Sequence, residues 1–173
     1  MITLRLSIVI ITTLTLFNKA TSQTNHSIKI ETGYYLFGHT NLDVNPGPNW
    51  KGHYLDNQNG IELSVVVNAL QFKEKYAVGI GVGYLNFEGI NGVSVFSDFE
   101  YIIIRSRLSP LINLKIGYSH LWNQYKNGTG TFCGEIGLGL NYKLSEKIDV
   151  FLTSGTNTTQ HAAFTPIRIG IRL

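Results

Sequence analysis

The sequence predicts an all-β fold: an eight-stranded antiparallel up-and-down β-barrel that crosses a membrane. Three observations carry the prediction. Residues alternate with period two in eight segments of about ten residues, and helical periodicity is almost absent. The second face of those segments is built largely from Gly with isolated charges. Aromatic residues collect at both ends of the apolar face.

Composition narrows the class further. Charged residues are 14% of the 173, well below the roughly 25% of an ordinary soluble domain. Hydrophobic content of 43% disfavours disorder, and a single cysteine, Cys133, excludes a disulfide scaffold. The 14 Lys+Arg against 11 Asp+Glu contain no basic run, so nucleic-acid binding is not expected.

Residues 1–22 have the build of a cleaved secretory signal peptide. Arg5 supplies the positive start, Leu6 to Phe17 the apolar stretch, and Ala20 and Ser22 the small residues before the cut. The expected mature chain, 23–173, is one barrel domain. It holds no run of about 20 apolar residues, so no helix is expected to span a membrane.

The expected strands are Ile28–Phe37, Gly60–Leu70, Tyr76–Phe87, Val93–Ile104, Pro110–Leu121, Phe132–Lys143, Ile148–Gly155 and Thr165–Leu173. The third is the cleanest, with Tyr76, Val78, Ile80, Val82 and Tyr84 on one face and Ala77, Gly79, Gly81 and Gly83 on the other. The fifth sets Ile112, Leu114, Ile116 and Tyr118 against Asn113, Lys115, Gly117 and Ser119. The sixth and eighth repeat the scheme. Val66, Phe96 and Phe151 are exceptions that fall on the polar face. Connections alternate: short charged turns follow strands two, four and six, and 38–59, 88–92, 122–131 and 156–164 are expected as longer loops at the other end.

Alternation alone fits two opposite proteins. A soluble lipocalin-like barrel turns its apolar face inward around a ligand; an outer-membrane barrel turns it outward into lipid. Gly on a solvated strand surface weakens the strand, whereas inside a narrow barrel it makes room for large neighbours. Tyr34, Tyr84 and Tyr118, with Trp122 and Phe132 beside them, mark one level. Tyr76, Tyr101 and Tyr142 mark the other, as expected of two interfacial girdles. Strands of about ten residues suit a tilted crossing of a bilayer, and closure of strand one on strand eight leaves no unpaired edge in lipid. Outward lipid is thus expected.

The signal peptide, the alternating turns and loops, and the segments Val93-Ser-Val-Phe-Ser-Asp-Phe-Glu-Tyr, Ile116-Gly-Tyr-Ser and Gly134-Glu-Ile-Gly-Leu-Gly-Leu resemble small outer-membrane β-barrels of the OmpA-like or OmpX-like type. The resemblance covers the mature chain and is one of architecture. It implies residence in a Gram-negative outer membrane, contact with outer-membrane lipid, and assembly by the barrel-assembly machinery. The alternating Ile167, Ile169, Ile171 and Leu173 resembles the C-terminal signal that machinery reads, although such barrels commonly end in an aromatic residue.

On this register the inward charges are Lys29, Glu31, Glu62, Asp98, Glu100, Lys115, Glu135, Lys143, Asp149, Arg168 and Arg172. Eight strands enclose a lumen just wide enough to be filled by side chains, and buried charges must be paired. A plugging polar network is expected, with Lys115 and Asp98 or Glu100 as the best local pair.

No catalytic, cofactor or metal site is expected. Eight-stranded barrels that modify lipid A are the first alternative, and they need a Ser and a His that meet. Ser119 and His120 are adjacent on a strand and so point to opposite faces. His39, Asp43, His53 and Asp56 match no compact metal spacing. The expected role is non-catalytic, structural or surface-interacting, in a monomer whose loops 38–59 and 122–131 offer surfaces to an extracellular partner. The second alternative is the soluble ligand-binding barrel.

Overall fold

The computed structural model describes residues 26–40, 55, 57–72, 75–122 and 127–173. They form eight strands: β1 (Ser27–Thr40), β2 (Gly60–Phe72), β3 (Tyr76–Phe87), β4 (Ile90–Ile102), β5 (Leu108–Leu121), β6 (Thr129–Lys143), β7 (Asp149–Thr159) and β8 (Ala162–Arg172). Each pairs antiparallel with its sequence neighbour, and β1 pairs with β8, so the sheet is a closed barrel. No described helix is long and apolar enough to cross a membrane.

The strands outrun the alternating segments mainly at the loop end. Two connections expected as longer loops are two-residue hairpins. Phe87 pairs with Ile90 around Glu88 and Gly89, and Thr159 pairs with Ala162 around Gln160 and His161. All four turn residues have positive φ: 50° and 97° in the first, 51° and 59° in the second. That left-handed pair is the backbone a tight hairpin between twisted strands requires. The sequence hid it because only Gly89 is a residue type that favours it. Register shifts interrupt β1–β8 between Phe37 and His39 and β2–β3 between Asn68 and Leu70.

The alternation translates directly into facing. Along β3, Tyr76, Ile80, Val82 and Tyr84 are exposed outward, while Ala77, Gly79, Gly81, Gly83, Leu85 and Phe87 are buried inward. Ile80 is 65% exposed and Leu138 66%, in a belt of exposed Ile, Leu, Val and Tyr that circles the barrel. The interior holds Lys29, Glu31, Asp98 and Arg168 at 2% exposure or less. This polarity is the reverse of a water-soluble protein and decides the question that alternation left open: the apolar face is outside.

Inward glycines carry large side chains on their open faces. A Cβ on Gly81 or Gly60 would collide with the ring of Phe96 or Phe87, and one on Gly33 would lie 2.9 Å from Arg168 Nη1. The glycine excess therefore accommodates bulky lumen residues in a barrel of small radius.

Candidate functional site

The lumen is the site the fold builds, and it has two tiers. Toward the loop end, Tyr35, Leu85, Phe87, Leu121, Ala162 and Phe164 form an apolar cluster, joined by Leu55 from the first long loop. Tyr35 and Phe164 meet edge to face at 5.8 Å, and Phe87 and Phe164 rings lie 5.2 Å apart. This tier was missed by the sequence reading. Its signal was present: apart from Leu55, these residues carry the inward phase to the loop ends of the strands, where glycine and charge give way to large apolar groups.

Below it lies an ion network. Arg168 is its hub. Its guanidinium meets Glu135 through Nε at 2.6 Å and through Nη2 at 2.7 Å, and Glu62 at 2.6 Å. Glu31 lies 3.7 Å away, and Arg168 also donates to the Tyr35 hydroxyl. That hydroxyl donates in turn to Glu62 at 2.7 Å. Nearer the short turns, Lys29 holds Asp98 at 2.6 Å, Glu100 at 3.0 Å and Glu31 at 3.5 Å. Lys115 pairs with Glu31, and Arg172 with Glu100. Neutral donors fill the remaining lone pairs: Ser64 to Glu31 at 2.9 Å, Ser94 to Glu62 at 2.8 Å, Asn113 to Asp98 at 2.8 Å and Asn157 to Glu135 at 3.1 Å.

The structure brings together Lys29, Glu31, Glu62, Asp98, Glu100, Lys115, Glu135, Arg168 and Arg172. Asp149 lies at the rim, a quarter exposed, and meets Arg172 at 3.4 Å. Lys143 departs from the expectation. It ends β6 opposite Asp149 and is exposed at the short-turn mouth, outside the network. The expected local pair also differs. Asp98 and Lys115 are register partners, yet Lys115 reaches across the lumen to Glu31 while Asp98 takes Lys29 and Asn113. In so narrow a lumen, long side chains span the axis, so adjacency on the sheet does not choose the partner.

The apolar exceptions on the polar face have a place as well. Lys115 Nζ lies 4.8 Å from the centre of the Phe96 ring, and Lys29 Nζ lies 5.3 Å from that of Phe151. The rings supply cation–π partners and volume among the charges. Among the described residues, the buried network counts four cations (Lys29, Lys115, Arg168, Arg172) and five carboxylates (Glu31, Glu62, Asp98, Glu100, Glu135). Loss of a cation therefore worsens an existing imbalance, and loss of a carboxylate relieves it. Between the two tiers is a void of about 20 Å³, bordered by Tyr35, Lys115, Cys133 and Arg168, with room for about one water.

The outward aromatic residues stand where the register puts them. Tyr34, Tyr84, Tyr118, Trp122 and Phe132 are exposed toward the loop end. Tyr76 and Tyr142 are exposed toward the short turns, with Tyr101 stacked on Tyr76 at 4.8 Å. Ile167, Ile169 and Ile171 form the outward row of β8, with Leu173 exposed beyond it. Ser119 is buried inward against Thr159 at 2.6 Å, whereas His120 faces outward beside Trp122 at 5.2 Å, so the two do not meet. His39 is exposed on β1 opposite Ala163, and His161 is exposed in the β7–β8 turn. Asp43, His53 and Asp56 lie outside the described residues, as do the rest of 41–54 in the first long loop and 123–126 in the third. No group of metal-ligating side chains occurs among the described residues.

No family model and no curated protein matches the sequence. Solved structures do match it in shape. Neisserial surface protein A aligns over 86% of this chain and 96% of its own, at 9% identity and a TM-score of 0.61. The N-terminal β-barrel domain of Pseudomonas aeruginosa OprF aligns over 87% of this chain and 100% of its own, at 13% identity and a TM-score of 0.55. The chain has the fold of the small eight-stranded outer-membrane barrels. At these identities the likeness speaks for the fold alone.

Proposed function

We propose that the protein is a non-catalytic integral protein of a bacterial outer membrane whose lumen is closed to ions. The carrying observation is the reversed polarity: an exposed apolar belt between two aromatic levels around a charged, ion-paired interior. Only lipid outside makes that arrangement favourable. Residues 1–22 act as the export signal and are removed. The row Ile167, Ile169, Ile171 and Leu173 serves recognition by the barrel-assembly machinery. The short-turn end, where β1 begins and β8 ends, faces the periplasm. The long loops face out, as a monomer's surface for an extracellular partner. Two stacked tiers, one apolar and one ionic, with space for about one water between them, support a structural plug.

Fractionation of producing cells tests the location: the protein should require detergent for extraction and migrate differently on gels before and after heating. Recovery in a detergent-free soluble fraction would refute the reading. Planar-bilayer recordings test the plug, with no discrete conductance steps expected. Steady open-channel current from the unaltered protein would overturn the closed lumen while leaving the membrane barrel intact.

A further inference from the structure

The short-turn end of the lumen opens into a vestibule of about 590 Å³, within the range of small-molecule sites. Its floor is the last layer of the ion network, where Arg172 binds Glu100 and meets Asp149 at 3.4 Å. Arg172 is buried, and among the described residues its Nε has no hydrogen-bond partner. The walls add Lys75, Lys143 and Lys147, none of which makes an ion pair among the described residues. Three acidic side chains line the same space. Glu100 is already shared by Lys29 and Arg172, and Asp149 is engaged by Arg172. Among the described acidic side chains of the lining, Glu146 is left to offset three lysines.

The pocket is blind. The network above it closes the lumen, and the surrounding sheet is a low-dielectric wall, so the positive field is focused into the vestibule and not spread along a channel. Buried Ser109 and Asn141 contribute neutral polar groups to its lining. We propose that this vestibule binds a small, multiply charged oxyanion, a ligand carrying phosphate or carboxylate groups. The proposal rests on the proposed function for the closed lumen above the pocket and for the compartment the mouth faces, the periplasm.

The test is isothermal titration of the refolded protein in zwitterionic micelles with sodium pyrophosphate at low ionic strength. Saturable one-to-one binding is expected. The double variant Lys143→Gln/Lys147→Gln should weaken it at least about fivefold, and Lys143→Arg/Lys147→Arg should retain it. Arg107→Gln is the control, because that guanidinium lies over the Tyr142 ring at 5.3 Å and is no part of the vestibule lining. Absence of saturable binding overturns the proposal. So does a smaller loss in the double variant, or an equal loss in Arg107→Gln, which would reveal general surface charge. Short-chain phosphatidylglycerol is titrated in a second arm. Competition with pyrophosphate assigns a lipid headgroup as the source of the oxyanion, and lack of competition assigns a free solute; both support the site. Heat-modifiable migration of every variant verifies the fold. Solubility without detergent would defeat the membrane reading independently of the titrations.

Discussion

Arg168→Met removes the hub of the lumen while retaining an unbranched apolar stem over Gly33. The guanidinium is the cation closest to both Glu62 and Glu135, at 2.6 Å each, whereas Glu31 keeps Lys29 and Lys115. Two buried carboxylates would be stranded. Removing one partner of a buried pair costs about 3–5 kcal/mol, and neutralisation of a stranded carboxyl by a proton holds the cost near that range rather than doubling it. That corresponds to about two to four powers of ten in the ratio of folded to unfolded protein. Glu135→Gln works in the opposite direction on the charge count. It leaves Arg168 with Glu62, preserves an acceptor for Asn157, and brings four cations against four carboxylates, so about 1–2 kcal/mol is expected. The double variant should be less than additive, because each single change removes the same contact. Urea unfolding of the refolded barrel in micelles, followed by gel mobility and fluorescence, reads all three. If Arg168→Met unfolds within about 1 kcal/mol of the parent, or Glu135→Gln costs more than Arg168→Met, the hub reasoning is wrong.

Three further outcomes follow from the same geometry. Ile80 sits midway between Tyr76 and Tyr84 on the outward face, so Ile80→Arg should cost about 2–4 kcal/mol in bilayers; a neutral or stabilising effect on unfolding there would show that this face meets water. His161 is exposed with φ of 59°, so His161→Gly should raise stability by about 1 kcal/mol, and a lower unfolding midpoint would reveal an interaction that offsets the strain. Gly81→Val should destabilise by about 1–3 kcal/mol because the Phe96 ring fills the space over Gly81, and addition of Phe96→Ala should recover part of the loss in the same urea titration.

How much of this was legible in the sequence depends on the length scale of the force concerned. Facing is a period-two property, and Tyr76 through Phe87 declare it without any knowledge of partners, because each residue's environment is set by its parity. The girdle residues follow from the same parity. Lys143 shows the limit: its parity is inward, but position along the barrel axis, which parity does not encode, places it in the mouth. The hairpin at Gln160 and His161 was illegible for a different reason. Its side chains carry no turn signal, and the tight turn is held by tertiary bonds instead, with Gln160 donating from its backbone N–H to Thr131 Oγ1 at 3.0 Å and from Nε2 to the Thr129 carbonyl at 3.1 Å. Partner choice inside the lumen was the least legible. Lys115 bypasses its register partner Asp98 because a four-carbon stem crosses the axis, and the winner is then fixed by the joint satisfaction of every charge on eight strands. Such a network is a property of the closed barrel and of no single strand. The charges could be named from the sequence, whereas Arg168 as their hub could be found only once β1 met β8.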